Sequence, residues 1–112
     1  MKQIIVLGGG RVGSAIAYDL SVNHSITVVD INRDLLQKIT DRNSRINTLN
    51  YNLSDTEKLK QIIQPYDLVV CAVPGFMGFQ TLQAIIEAQK NVVDISFFPE
   101  NALELHELAI KN

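Results

Sequence analysis

The sequence lacks the features of a secreted, membrane-spanning or nucleic-acid-binding protein. Its single cysteine, Cys71, cannot form an internal disulfide, which fits a reducing cytoplasm. No apolar stretch approaches the roughly 18 residues of a membrane span, and the apolar run at residues 4–7 is too short for a signal peptide. The formal net charge of −2 provides no basic surface for nucleic acid or an anionic membrane. We therefore expect a cytoplasmic protein that binds neither.

Signatures of hydrolytic and metal-dependent enzymes are missing as well. The two histidines, His24 and His106, have no partner at catalytic or metal-ligand spacing. The chain has no Gly-x-Ser-x-Gly elbow and no paired carboxylates. Cys71 lies inside an apolar run, so we interpret it as a small buried residue and not as a nucleophile. The sequence thus indicates no metal site and identifies no catalytic residue.

What the sequence does have is a regular alternation of two hydrophobic periods. Its 112 residues, 46% of them hydrophobic, suit one globular domain spanning 1–112. Short apolar runs predict strands at 4–7, 26–29, 45–51, 68–73 and 92–95. Helical spacing predicts helices at 12–20, 31–39, 59–63 and 82–89, and a last helix opening at Pro99. The sequence Ser54-Asp55-Thr56-Glu57 has the form of a capping box, which predicts Ser54 as the cap of the third helix.

This strict order of strands and helices predicts the fold class. Short connections between alternating elements imply a parallel sheet with right-handed crossovers. We expect an α/β, Rossmann-type doubly wound parallel sheet with strand order 3-2-1-4-5 and helices on both faces.

A glycine motif, Gly8-x-Gly10-x-x-Gly13, lies between the first strand and the first helix, where the dinucleotide fingerprint requires it. Gly8 would permit the tight turn, Gly10 the approach of a pyrophosphate, and Gly13 the packing of helix on strand. The amides from Arg11 to Gly13 would donate to phosphate oxygens at the positive end of the helix dipole. The alternative is a cluster of turn glycines without a ligand.

The acidic partner of the motif is Asp30, which ends the second predicted strand about 20 residues after Gly10. A carboxylate there accepts hydrogen bonds from the adenosine ribose and repels a 2′-phosphate, so NAD is favoured. The alternative is a solvated Asp that caps the next helix. Arg33, near the same ribose, would stack on adenine or meet a 2′-phosphate, so NADP stays open.

The remaining candidates follow the later strands, because a doubly wound sheet binds its ligand at the carboxyl ends of its strands. Asn52 and Leu53 would flank the adenine, residues 72–76 the nicotinamide ribose, and Asp94 and Ser96 the nicotinamide end. The complete predicted cofactor site is Gly8, Gly10, Arg11, Val12, Gly13, Asp30, Ile31, Asn32, Arg33, Asn52, Leu53, Ala72, Val73, Pro74, Asp94 and Ser96.

On these residues the chain resembles the N-terminal domain of the saccharopine dehydrogenase family, from Lys2 to the C-terminus. The glycine motif is common to many such domains, whereas two later stretches are more specific: Ala72-Val73-Pro74-Gly75-Phe76-Met77-Gly78-Phe79 and Val93-Asp94-Ile95-Ser96-Phe97-Phe98-Pro99-Glu100-Asn101. Within the family the chain looks most similar to the L-lysine 6-dehydrogenases. Asn52 departs from the family pattern, which often has Asp there.

The resemblance implies an NAD(P)-dependent oxidoreductase that acts on a CH–NH group of lysine or saccharopine and passes a hydride to nicotinamide. It also implies a second domain that supplies much of the amino-acid substrate site. We expect that domain to follow this chain, because residues 110–112 end where a sixth strand would begin, and we expect the chain alone to be inactive. Without a sixth strand, the strand at 92–95 would form an uncovered edge of the sheet. An edge of this kind would favour a homo-oligomer.

The alternative comes from another class of protein. The regulatory nucleotide-binding modules of potassium uptake systems are similar over the first two strands, including the acid at the end of the second. Those modules usually carry Gly-Asp after strand three, where this chain has Asn50-Tyr51-Asn52, and a polar loop where it has Pro74-Gly75-Phe76.

Overall fold

The computed structural model describes residues 2–73 and 75–94. Its strands are β1 (Gln3–Leu7), β2 (Ser25–Asp30), β3 (Asn47–Asn50), β4 (Leu68–Cys71) and β5 (Val92–Asp94). Its helices are α1 (Arg11–Leu20), α2 (Arg33–Arg42), α3 (Thr56–Ile63) and α4 (Gly75–Glu87). The predicted last helix, with Pro99 and His106, lies outside the described residues.

The five strands form one sheet in the order β3-β2-β1-β4-β5, and every pair is parallel. Val6 of β1 lies beside Val28 of β2 and Val70 of β4. The predicted strand order is confirmed. β1 is central, so its apolar residues are buried on both faces, as a parallel sheet covered by helices requires.

Successive side chains of β1 point to opposite faces and lead into two separate cores. Ile4 and Val6 pack with residues of α1 and α2, including Ala17 and Ile39. Ile5 and Leu7 belong to the other core, which contains Leu59 and Ile63 of α3 and Ala84 and Ile85 of α4. Helices therefore cover both faces, and the doubly wound arrangement is confirmed. Within the described residues, no helix is both long and apolar enough to cross a membrane.

Two apolar residues within the predicted elements are exposed. Leu49 lies on β3, at an edge of the sheet, and is 40% exposed. Ile31 precedes α2 and is 64% exposed, so it does not belong to that helix's buried face. α2 begins only after its N-cap Asn32, so Ile31 is not part of the helix. The buried residues of α2 are Leu36 and Ile39.

The capping-box prediction for α3 is wrong by one residue. Asp55 is the N-cap, and its carboxylate accepts from the Lys58 amide at 3.2 Å. Ser54 is held outside the helix, since its amide and its hydroxyl both donate to Asn52 Oδ1, at 3.0 and 2.7 Å. This local Asn turn engages the Ser54 hydroxyl, and Asp55 takes the predicted place of Ser54 as the cap of the helix.

Candidate functional site

The glycine loop crosses the sheet at the carboxyl ends of its three central strands. The Gly8 amide donates to the carbonyl of Val29, at the end of β2, at 2.8 Å. On the other side, the Ala72 amide, just after β4, donates to the Leu7 carbonyl at 2.8 Å. These bonds place the loop at the edge where doubly wound sheets bind ligands.

Two glycines of the loop are required by the fold itself. Gly8 has φ +106°, and a Cβ there would lie 2.5 Å from the carbonyl oxygen of Ala72. A Cβ on Gly13 would collide with the carbonyl oxygen of Gly8. Both positions therefore let α1 pack closely on β1 and β4, whether or not a ligand binds.

Gly10 is different, because the protein itself does not need a glycine there. Its φ of −71° and ψ of −163° are extended backbone that any residue adopts. A Cβ on Gly10 would meet no atom of the described residues within 4 Å. Among those residues nothing fills the space beside Gly10, which fits the role of a residue beside a bound pyrophosphate.

The start of α1 adds donors to this open position. Gly10 is the N-cap and has no side chain to accept from the first-turn amides of Arg11, Val12 and Gly13. The first turn holds no acidic residue, and both Arg11 and Val12 are exposed. Amides and helix dipole together favour an anion at this point.

The Asp30 carboxylate joins the glycine loop to the end of β2. Its Oδ2 accepts from the Gly9 amide at 2.7 Å, and its Oδ1 accepts from the Asn32 amide at 2.8 Å. Each oxygen retains a second lone pair for a further donor. The cap of α2 is Asn32, which accepts from the Asp34 and Leu35 amides, so the alternative role of Asp30 as a helix cap is wrong.

Beside Asp30 lies a residue that the sequence analysis did not select. Asn50 ends β3 in register with Asp30, and its Nδ2 donates to the carbonyls of Asp30 and Ile31, at 3.1 and 2.8 Å. Its Oδ1 accepts from Arg33 Nε at 2.9 Å. The sequence signal was available, since Asn50 ends a strand adjacent to the one that ends in Asp30.

The other predicted residues of the cofactor site lie in different surroundings. Ile31 and Asn52 are exposed near the ends of β2 and β3, where they remain available for the adenosine. Leu53 and Val73 are buried in the core with α3 and α4, so their side chains serve packing. Asp94 ends β5 in register with Cys71, which is buried as predicted. Pro74 and Ser96 lie outside the described residues.

A parallel sheet of this order, with a glycine loop between β1 and α1 and an acid at the end of β2, defines a Rossmann-type dinucleotide-binding domain. The family model described as the saccharopine dehydrogenase NADP binding domain matches residues 4–112. The chain belongs to that family, and NAD(P) is its cofactor class.

Solved structures with the same fold come from several kinds of protein. Saccharopine dehydrogenase (L-Glu forming) from Saccharomyces cerevisiae matches with a TM-score of 0.78 and 20% identity, over 94% of this chain and 24% of that one. GenD2 from gentamicin A biosynthesis, solved in complex with NAD, matches with a TM-score of 0.74 and 19% identity, over 98% of this chain and 32% of that one. The chain thus spans about a third or less of these two proteins.

The alternative class also appears among the structural matches. The TrkA-N domain of the inner membrane protein ybaL from Escherichia coli matches with a TM-score of 0.73 and 16% identity, over 96% of this chain and 82% of that one. At such identities these matches show the fold alone. No curated protein sequence matches the chain.

Proposed function

We propose that this chain is the cofactor-binding domain of a dehydrogenase that oxidises a CH–NH group of lysine or saccharopine. The observation that carries the cofactor role is Gly10, a glycine that the fold does not need, at the uncapped start of α1. The family match over residues 4–112 supports the dehydrogenase class. Bound nicotinamide would supply the hydride acceptor.

Within this family we favour an L-lysine 6-dehydrogenase activity, in which lysine gives the semialdehyde and ammonia. The support is the likeness of residues 72–79, which follow β4, and of residues 93–101, which begin within β5. β4 and β5 both end at the edge that carries the glycine loop, so we expect the two stretches to border the nicotinamide end.

The described residues would bind and orient the cofactor. Amides of the first turn of α1 would hold the pyrophosphate, and the free lone pairs of the Asp30 carboxylate would accept from the adenosine ribose. A 2′-phosphate would be repelled by the same carboxylate, so we propose that NAD is preferred over NADP. The substrate residues would lie outside the 112 residues.

Two measurements on the 112-residue chain test this proposal. Titration calorimetry is expected to show binding of NAD. A hydride-transfer assay with lysine or saccharopine is expected to show no turnover. The intact protein that contains this domain is expected to form NADH from one of the two amines. Steady NADH production by the 112-residue chain would show that no second domain is needed.

A regulatory nucleotide-binding module of a potassium uptake system is the second candidate, because the similar TrkA-N domain is itself 82% covered by this chain. The two candidates differ in their chemistry. If the intact protein binds NAD but oxidises neither lysine nor saccharopine, the module gains support and the dehydrogenase proposal fails.

A further inference from the structure

Asn50 uses both ends of its side-chain amide to join three backbone segments. The Nδ2 end donates to two consecutive carbonyls after β2, those of Asp30 and Ile31. The Oδ1 end accepts from Arg33 Nε, at the first residue of α2. With both ends engaged, the amide has one orientation, and it fixes the direction in which the Arg33 guanidinium leaves the helix.

This contact changes what Arg33 is able to do. An exposed arginine normally loses side-chain entropy when it binds an anion, which offsets most of the gain. Here Nε is already fixed, while the two terminal amino groups have no acceptor among the described residues. The two ion pairs within residues 2–73 and 75–94 are both made by Lys60, and neither includes Arg33. A planar fork of donors is therefore held in place beside Asp30.

A fork of this kind matches one ligand group in particular. Guanidinium donors bind phosphate in a bidentate manner, and an arginine near the acid at the end of β2 accommodates the 2′-phosphate of NADP. Asp30 disfavours that phosphate through its charge, so the two side chains act in opposite directions on the same position of the adenosine ribose.

We propose that Asn50 is a positioning residue for cofactor specificity, which holds Arg33 where it binds the 2′-phosphate of NADP. The inference rests on the proposed function, because it assumes that the dinucleotide occupies this edge of the sheet. Asn50 does not touch the phosphate itself. It lowers the cost of ordering Arg33, so that the domain accepts NADP in spite of Asp30.

The test is the ratio of the dissociation constants for NADP and NAD, measured by calorimetry on the 112-residue chain. Asn50→Leu is expected to raise the Kd for NADP about three- to tenfold, the cost of ordering one flexible side chain. The Kd for NAD should change much less. Arg33→Ala should raise the Kd for NADP about tenfold or more, as loss of a hydrogen bond to a charged group does. Asn47→Leu, at the opposite end of β3, is the matched control and should leave the ratio unchanged.

The double variant decides whether Asn50 acts through Arg33. In an Arg33→Ala background, Asn50→Leu should leave the ratio as it is, since no guanidinium remains to be positioned. Equal weakening of NAD and NADP by Asn50→Leu would mean that Asn50 only supports the ends of β2 and β3, and the inference would be wrong. The same change of ratio with and without Arg33 would also overturn it. Wild-type protein that binds neither dinucleotide would instead refute the proposed function, and the inference with it.

Discussion

Replacing Asp30 by alanine should damage two different properties, because its carboxylate has an internal role in the fold and, in our proposal, an external role as the ligand of the adenosine ribose. Internally it accepts from the amides of Gly9 and Asn32. The Gly9 bond is partly buried, whereas the Asn32 amide is exposed and finds water instead. Leaving one partly buried amide without an acceptor costs about 1–3 kcal/mol.

Thermal unfolding without cofactor measures the internal role. For a domain of this size, 1 kcal/mol corresponds to roughly 4 °C, so Asp30→Ala should lower Tm by about 4–12 °C. Asp19→Ala removes the same charge from an exposed position of α1 and should change stability by no more than about 0.5 kcal/mol. A wild-type Tm in Asp30→Ala would show that the bond to Gly9 does not stabilise the loop.

Calorimetry with NAD and NADP measures the external role. Loss of a charge-assisted hydrogen bond to the ribose should cost roughly 1.5–3 kcal/mol, which is about ten- to a hundredfold in the Kd for NAD. NADP should be affected less, because the repulsion of its phosphate disappears at the same time. The gap between the cofactors should therefore narrow in Asp30→Ala and reopen when Arg33→Ala is added. If Asp30→Ala left the ratio unchanged, or if wild type bound NADP more tightly, Asp30 would not be the ribose ligand.

Three further predictions concern the glycine loop, the sheet edge and a tyrosine. Gly10→Ala should cost no more than about 1 kcal/mol of stability yet abolish most NAD binding, whereas Gly13→Ala should cost about 3 kcal/mol of stability or more. Melting curves measure the stability of both variants, and calorimetry measures their NAD binding. Equal losses of stability would contradict the distinction between a glycine that the ligand requires and one that the fold requires. β5 is an edge strand among the described residues, and Val93 is 49% exposed. Light scattering should therefore show self-association, which Val93→Lys should reduce. A monomer at high concentration would count against this prediction. Partial burial and then the Asp55 carboxylate raise the pKa of Tyr51 above 10.0, so the folded state holds this proton more tightly and its contribution to stability decreases as pH rises through that pKa. An ultraviolet absorbance titration should lose a tyrosine component with a raised pKa in Tyr51→Phe, and an otherwise unchanged titration curve would refute the assignment.

The pattern of the sequence was sufficient for the fold, because each element has a periodic signal of its own. The apolar runs and helical spacings are local, and alternation with short connections leaves few arrangements for a parallel sheet. Gly8 and Gly13 were recognisable for the same reason: a strand, a tight turn and a helix follow each other within about ten residues. The ends of elements were less certain, since Asn52 engages the Ser54 hydroxyl in a local turn and leaves Asp55 to cap α3.

Contacts between distant parts of the chain were decided only by the tertiary structure. The bond from Gly9 to Asp30 spans 21 residues, and the bond from Arg33 to Asn50 spans 17. Both depend on the register of β2 against its neighbours, which no local pattern specifies to within one residue. The exposure of Leu49 depends in the same way on the position of β3 at an edge of the sheet. The sequence alone therefore determined that a dinucleotide-binding edge exists, and the packing of β1, β2 and β3 determined which side chains meet there.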